Sequence, residues 1–295
     1  MRVNPYFVND VISSLAQTQQ QQQTALQQLS TGQRINQPSD DPAGAAVLTQ
    51  VLDQTSAADS YLQSMGSLNG QLATADSTLS SVVTVMQRAI SLGVEGATGT
   101  MSDANRASLA EEVRGIQDQL VSLANTSYQG RYIFAGTSLN VPYVEDKTSP
   151  SGVQYSGNDG VNLVTVGKGY QIQANVPGSQ VFSGGGADVF QAVNDLLTSL
   201  TNGTGVDTAV TSLRAAYDHV TEQRVFYGNA LNQISGQKTY LNSEKLQLAQ
   251  QQNTVAGADM NKVASDLVNS ENARNATLAA VGRVSQRNLF DYLSG

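Results

Sequence analysis

The chain has 295 residues, 40% hydrophobic but only 6% aromatic, with one histidine, no tryptophan and no cysteine. A formal net charge of −8 excludes the basic face that phosphate binding needs, so nucleic acid is not an expected partner. Lack of cysteine removes disulfides, thiol nucleophiles and cysteine-ligated zinc together, and the thin aromatic content suits helical bundles better than a thick core.

At the start, "MRVNPYFVNDVISS" is interrupted by Pro5, Asn9 and Asp10 and has no signal-peptide core. No apolar stretch approaches the ~20 residues of a membrane span, so no membrane partner is expected either. If the protein leaves the cell, it does so without a cleaved signal. Residues 8–29 carry an apolar stripe at Val8, Val11, Ile12, Leu15, Leu26 and Leu29, broken by "QTQQQQQ" at 17–23. The flanking spacing reads this run as a solvated or inter-subunit helix.

"RINQPSDDPAGAA" (34–46) follows, with Asp40 and Asp41 set between two prolines. Thr31-Gly32 supplies a helix stop, and Pro38 and Pro42 forbid helix across the gap. Pro42 suits a first helical position, which makes Asp41 an N-cap and Asp40 a neighbour favoured by the helix dipole. An acid/base or metal reading has no partners nearby in sequence. From there Val51, Ala58, Met65, Leu72, Leu79 and Met86 repeat every seven residues, with Leu68, Ala75 and Val82 as a second seam. This predicts one long helix, or two nearly collinear ones broken near Gly66 and Gly70.

Leu109, Val113, Ile116, Leu120 and Leu123 then mark an amphipathic helix expected to pack on that first long one. "GRYIFAGT" (130–137) lacks the spacing of a phosphate-binding loop. From about 139 to 186 glycine and proline become frequent; "VNLVTV" (161–166) and the alternating "YQIQANV" (170–176) read as strands parted by a "GKG" turn. A small inserted β domain is expected there. "SGGGAD" (183–188) reads as a joint back to the bundle, with Asp188 as a cap before an apolar helix at 187–200.

A second seven-residue repeat runs through Val206, Leu213, Val220, Tyr227, Ile234, Leu241, Leu248 and Val255, with Ala209, Ala216 and Ala230 beside it. Holding that period so long implies supercoiling around a partner helix. His219 lies next to this seam with no catalytic companions, and reads as an exposed helix residue. Asn125, Asn202 and Asn275 match the glycosylation pattern, a frequent accidental match. Met260, Val263, Leu267, Leu278, Val281, Leu289 and Tyr292 close the chain with a stripe interrupted by Glu271 and Arg274. Each terminal helix alone buries too little to offset its ordering entropy, so the pair is expected to be loose in the monomer and to fold as other copies arrive.

The two ends together carry a resemblance. "LQQLSTGQRINQPSDDPAGAAVLTQ" (26–50) resembles the N-terminal signature of the bacterial flagellin superfamily, and "DMNKVASDLVNSENARNATLAAVGRVSQRNLFDYL" (259–293) looks like the matching C-terminal region. "YQGRYIFAGT" (128–137), "VPYV" and "YSGNDG" before a small β insert are similar to the branch of that family found at the hook-filament junction.

The resemblance implies a mainly α protein: a long antiparallel coiled-coil-like bundle with a small inserted β domain and paired terminal helices. The division expected is 1–41 with 256–295 as a terminal assembly region, 42–138 with 187–255 as the bundle core, and 139–186 as the β-rich outer domain. It implies a structural subunit, not an enzyme and without cofactor, catalytic or metal residues. Its expected partners are flagellin, a hook-side junction protein (hook-associated protein 1), copies of itself in a helical ring, and an export chaperone on the C-terminal helix. Export through the flagellar type III apparatus would place it outside the cell. The expected assembly interface is Leu15, Leu26, Leu29, Leu267, Leu278, Val281, Leu289, Tyr292 and Leu293; Arg34, Asp40, Asp41 and Pro42 would form the joint and helix cap. A bulk filament subunit or a secreted coiled-coil adhesin are the alternative readings.

Overall fold

The computed structural model describes the backbone of residues 7–98 and 101–293, and the side chains of 9–98 and 101–282. Seven helices are present among these residues: α1 (Phe7–Thr31), α2 (Pro42–Gly96), α3 (Asp103–Ala124), α4 (Gly178–Ser183), α5 (Val189–Asn202), α6 (Val206–Ala256) and α7 (Met260–Leu293). Between α3 and α4 lie six short strands: β1 (Ser127–Tyr128), β2 (Arg131–Tyr132), β3 (Tyr143–Glu145), β4 (Val153–Tyr155), β5 (Leu163–Gly167) and β6 (Tyr170–Gln173). The chain forms two compact units, residues 58–243 and residues 1–57 with 244–295, and α2 and α6 contribute to both.

The 58–243 unit holds the main hydrophobic core. Met65, Leu72, Leu79 and Met86 of α2 and Leu213, Val220, Tyr227 and Ile234 of α6 are all fully buried, so the seven-residue seams do face inward. Asp76 pairs with Arg224 at 3.0 Å and Gln87 with the Tyr217 hydroxyl at 2.8 Å. As the residue number rises on one helix it falls on the other, so α2 and α6 run antiparallel here.

Helix α2 is unbroken through Gly66 and Gly70, unlike the second option the glycines suggested. At Gly70 the missing side chain has a packing use: a Cβ there would collide with the Tyr128 hydroxyl.

Helix α3 starts at Ser102, whose hydroxyl accepts the Asn105 amide, and buries Val113, Ile116 and Leu120. Arg88 of α2 donates to Glu112 of α3 through Nε and Nη2 at 2.8 and 2.6 Å. The closest backbone neighbour of α3 is nevertheless α5. Helix α5 is capped by Asp188, which accepts the Gln191 amide at 2.8 Å, and ends at Gly203 in the left-handed conformation.

The strands pair as three separate antiparallel hairpins, β1-β2, β3-β4 and β5-β6. Tyr143 lies opposite Tyr155, and Val164 opposite Ile172, with an irregularity at Thr165/Gly167. In "YQIQANV" the strand ends at Gln173, although Ile172, Ala174 and Val176 stay buried. The hairpins share the helical core: Tyr143, Val153, Val166 and Ile172 join the same buried cluster as α2 and α6. Tyr143 is ringed by Phe182, Phe190 and Tyr155, with centroids 4.8–5.4 Å away.

His219 differs from its sequence reading. It is half-buried, because the glycine loop after α4 lies against the ring, and its Nε2 sits 2.8 Å from the Gln180 carbonyl oxygen.

Candidate functional site

The functional region is built within the unit of residues 1–57 and 244–295, from the two connectors that join α1 to α2 and α6 to α7. Helix α1 ends because Gly32 takes a positive φ of 68°, and its amide donates back to Gln28 O at 2.8 Å. The other helix, α6, ends at Ala256, and the Gly257 amide donates to Asn253 O at 2.8 Å. The two connectors then pair with each other. Gln33 and Gly257 form an antiparallel bridge; the Arg34 amide donates to Ala256 O at 2.6 Å and the Ala258 amide to Gly32 O at 3.0 Å.

Each joint residue has a distinct task. Arg34 donates through Nη2 to Asp41 Oδ2 at 3.0 Å and to Val255 O at 2.9 Å. The second contact places a cation on carbonyls that the end of α6 leaves free. Asp41 accepts the Gly44 amide on Oδ1 at 2.9 Å, with Pro42 as the first residue of α2. The Gly44 amide and the Arg34 guanidinium hold the Asp41 carboxyl below the usual carboxylate range. Asp40 does not address the helix dipole. Its Oδ2 accepts the amides of Asn36 and Gln37 at 3.0 and 2.9 Å, tying down the turn before Pro38.

Both carboxylates are thus engaged in holding backbone, and among the described residues no cluster of acidic or histidine side chains could hold a metal. Gly44 is required by close approach: a Cβ would stand 2.5 Å from Asp41 Oδ2 and 2.6 Å from the buried Ile35 side chain.

From this knot α1 and α7 run beside one another and pack together. Asp259 caps α7, accepting the amides of Asn261 and Lys262 at 3.0 and 3.2 Å. Among the described residues, the buried members of the contact between the helices are Thr18 and Ala25 of α1 and Val263 and Ser270 of α7. Alongside it lies an open groove of about 1040 Å³ whose α1 wall includes Gln17, Gln20, Gln21, Thr24 and Gln28. Sequence reading took these glutamines as a gap in an apolar stripe. Positions 17, 21, 24 and 28 in fact recur at helical spacing, and that spacing was the available signal.

Of the expected interface residues, Leu15, Leu29 and Leu267 are half-buried, at helical spacing from Thr18, Ala25, Val263 and Ser270, while Leu26, Leu278 and Val281 are 50%, 46% and 40% exposed. Ile12 and Val268 are exposed on the same two helices. The side chains of Leu289, Tyr292 and Leu293 lie outside the described residues. No helix among the described residues is long and apolar enough to cross a membrane.

Residues 6–138 match the family model of the bacterial flagellin N-terminal helical region. That stretch, just under half of the chain, is similar to the flagellin N-terminal region. The chain is 28% identical to flagellar hook-associated protein 3 of Escherichia coli K12 over 287 residues, 90% of each chain. It is 28% identical to polar flagellin B/D of Vibrio parahaemolyticus over 68% of its own length and 52% of that protein's. A solved structure of a flagellar hook-associated protein from Vibrio parahaemolyticus shares its fold, with a TM-score of 0.60, 22% identity, and coverage of 78% of this chain and 100% of that one. The matched homologues are flagellar structural proteins.

Proposed function

We propose that this chain joins the flagellar hook, through a hook-side junction protein, to the flagellin filament. The observation that carries the reading is the 28% identity to a hook-associated protein over nine-tenths of both chains, against 22% for a flagellin matched over similar lengths. In this reading the chain divides by role into a terminal assembly region (1–41 and 256–295), a bundle core (42–138 and 187–255) and a β-rich outer part (139–186).

Assembly is coupled to ordering of the terminal helices. Leu26, Leu278 and Val281 stay open to water on these two helices, so a neighbour that covers those side chains adds to the stability of the pair. A head-to-tail contact of this kind does not close on itself and propagates as a helical ring. The partners are copies of the chain, flagellin on one side and hook-associated protein 1 on the other. Before assembly a chaperone covers α7 during export through the flagellar type III apparatus, which delivers the protein outside the cell.

Deleting the gene and imaging the cells, with flagellin measured in the medium, tests this. Hooks without filaments together with shed flagellin are expected. Intact filaments would remove the junction role, and bare hooks with no shed flagellin would make the chain a bulk filament subunit.

A further inference from the structure

Arg274 sits on α7 one turn beyond Ser270, a buried member of the contact with α1. It is half-buried, and its Nε is shielded from water without a hydrogen-bond partner among the described residues. An N–H held in that state forfeits hydration without gaining an acceptor, which is unfavourable until a carboxylate or carbonyl arrives. Among the described residues none does. Glu271, three residues away and at ion-pairing distance along a helix, is exposed and makes no ion pair with it among the described residues.

A complementary charge lies on the same helix. Asp266 lines the open groove between α1 and α7, and it too enters no ion pair among the described residues. Asp266 and Arg274 stand eight residues apart on one helix, about 12 Å along its axis, too far to meet within a copy. A second copy can bring them together. One chain therefore carries both halves of a self-complementary pair, a cation lacking an acceptor and a carboxylate facing an unfilled groove.

We propose that the α1/α7 groove of one copy receives the α7 face of a second copy, with Arg274 of the incoming chain pairing with Asp266. Resting on the assembly role proposed above, this makes Arg274 the residue that sets register between copies, while Leu278 and Val281 beside it supply the apolar cover. A paired charge fixes which displacement is allowed more sharply than an apolar stripe does.

The test uses the full chain in cells lacking their own copy, with incorporation read by immunoblot of isolated flagella. R274E should lower incorporation about tenfold, as expected for reversing one partner of a desolvated pair, and the double reversal R274E/D266R should restore it. Unchanged denaturation midpoints of the purified variants separate this from misfolding.

R274K gives a direct readout, because a carbodiimide can join its amine to a carboxylate. In flagella assembled from two isotopically distinct copies, a cross-link from position 274 of one copy to Asp266 of the other is expected, and it should vanish in R274K/D266N. Normal incorporation of R274E, failure of the double reversal to rescue, or a cross-link running to flagellin instead would overturn the pairing. Absence of the unmutated chain from flagella would overturn the junction reading instead, and the same cross-link, sought in the concentrated purified chain, then decides the pairing by itself.

Discussion

Arg34 grips Asp41 at 3.0 Å with the same nitrogen that reaches the Val255 carbonyl at 2.9 Å, so one guanidinium spans two connectors 221 residues apart in sequence. The contact is exposed, and its worth lies in geometry more than in Coulomb energy, which is small for surface pairs. Replacing Arg34 by Ala is expected to leave the melting of the 58–243 core in place while amide exchange at Arg34 and Ala258 accelerates. Hydrogen exchange with residue resolution measures this, and unchanged protection at both amides would show that the backbone bridge holds without the side chain.

The Asp41 cap makes a pH statement. Its folded pKa is lowered, so the stabilisation is present above the ordinary carboxylate value near 3.8 and is lost as pH falls through the lower folded value. Protection of the Gly44 amide should therefore persist at pH 4 and fall below it. Asp41→Ala should abolish that protection at every pH, whereas Asp41→Asn, which keeps an acceptor, should retain part of it. An NMR titration of the Gly44 amide reads all three.

Tyr143 presents a hydroxyl with no hydrogen-bond partner among the described residues, inside an aromatic cluster. Tyr143→Phe removes a desolvated donor while keeping the ring, and is expected to raise stability by about 1 kcal/mol in chemical denaturation. Burial also pushes the phenols of Tyr143 and Tyr227 above the 10.0 of free tyrosine. Above pH 10 the unfolded chain releases phenolic protons that the native state keeps, so it binds fewer protons and stability falls as pH rises. Denaturation midpoints from pH 8 to 11 should show that decline, with a shallower slope in the Tyr143→Phe chain.

Gln129 and Gly130 form the two-residue turn between β1 and β2, both with positive φ, 51° and 79°. Such turns favour asparagine followed by glycine, and glutamine at the first position carries the strain of a side chain in the left-handed region. Gln129→Asn should stabilise the 58–243 unit by ~0.5 kcal/mol or more. A lowered midpoint in thermal denaturation would show that the glutamine side chain contributes something that outweighs the turn.

Two aspartate substitutions should separate folding from assembly. Leu213 is fully buried in α6, and Leu213→Asp leaves a desolvated charge without a partner, so the 58–243 unit should lose cooperative unfolding. Leu278 is 46% exposed, and Leu278→Asp should leave the midpoint of that unit unchanged while the chain fails to enter flagella. Circular dichroism and isolation of flagella give the two readouts; normal entry of Leu278→Asp would remove that face from the assembly surface.

The long helices were legible because a seven-residue period has few other meanings, and α2 and α6 place those positions in the core. Strand β6 was legible from the alternation at 170–176, though it stops at Gln173. The joint was legible in outline, through glycine, proline and aspartate spacing, but its closure was not: the partner of Arg34 is a backbone carbonyl, and carbonyls leave no trace in residue identity. The glutamine run reads from sequence as a solvated or inter-subunit helix, but the groove beside α7 that it lines does not show in residue identity, nor does the split between exposed Leu26 and half-buried Leu15 and Leu29. His219 and Arg274 gained their surroundings from segments distant in sequence, which periodicity within one helix does not report.

The bridge between Gln33 and Gly257 has a mechanical meaning. The first and last helices hang from one knot, where the Arg34 and Ala258 amides and the Arg34 side chain cross-tie the connectors. A pull on either helix is therefore received by two covalent strands instead of one. In the assembly role proposed above, such sharing of load keeps a single connector from becoming the weakest link of each copy.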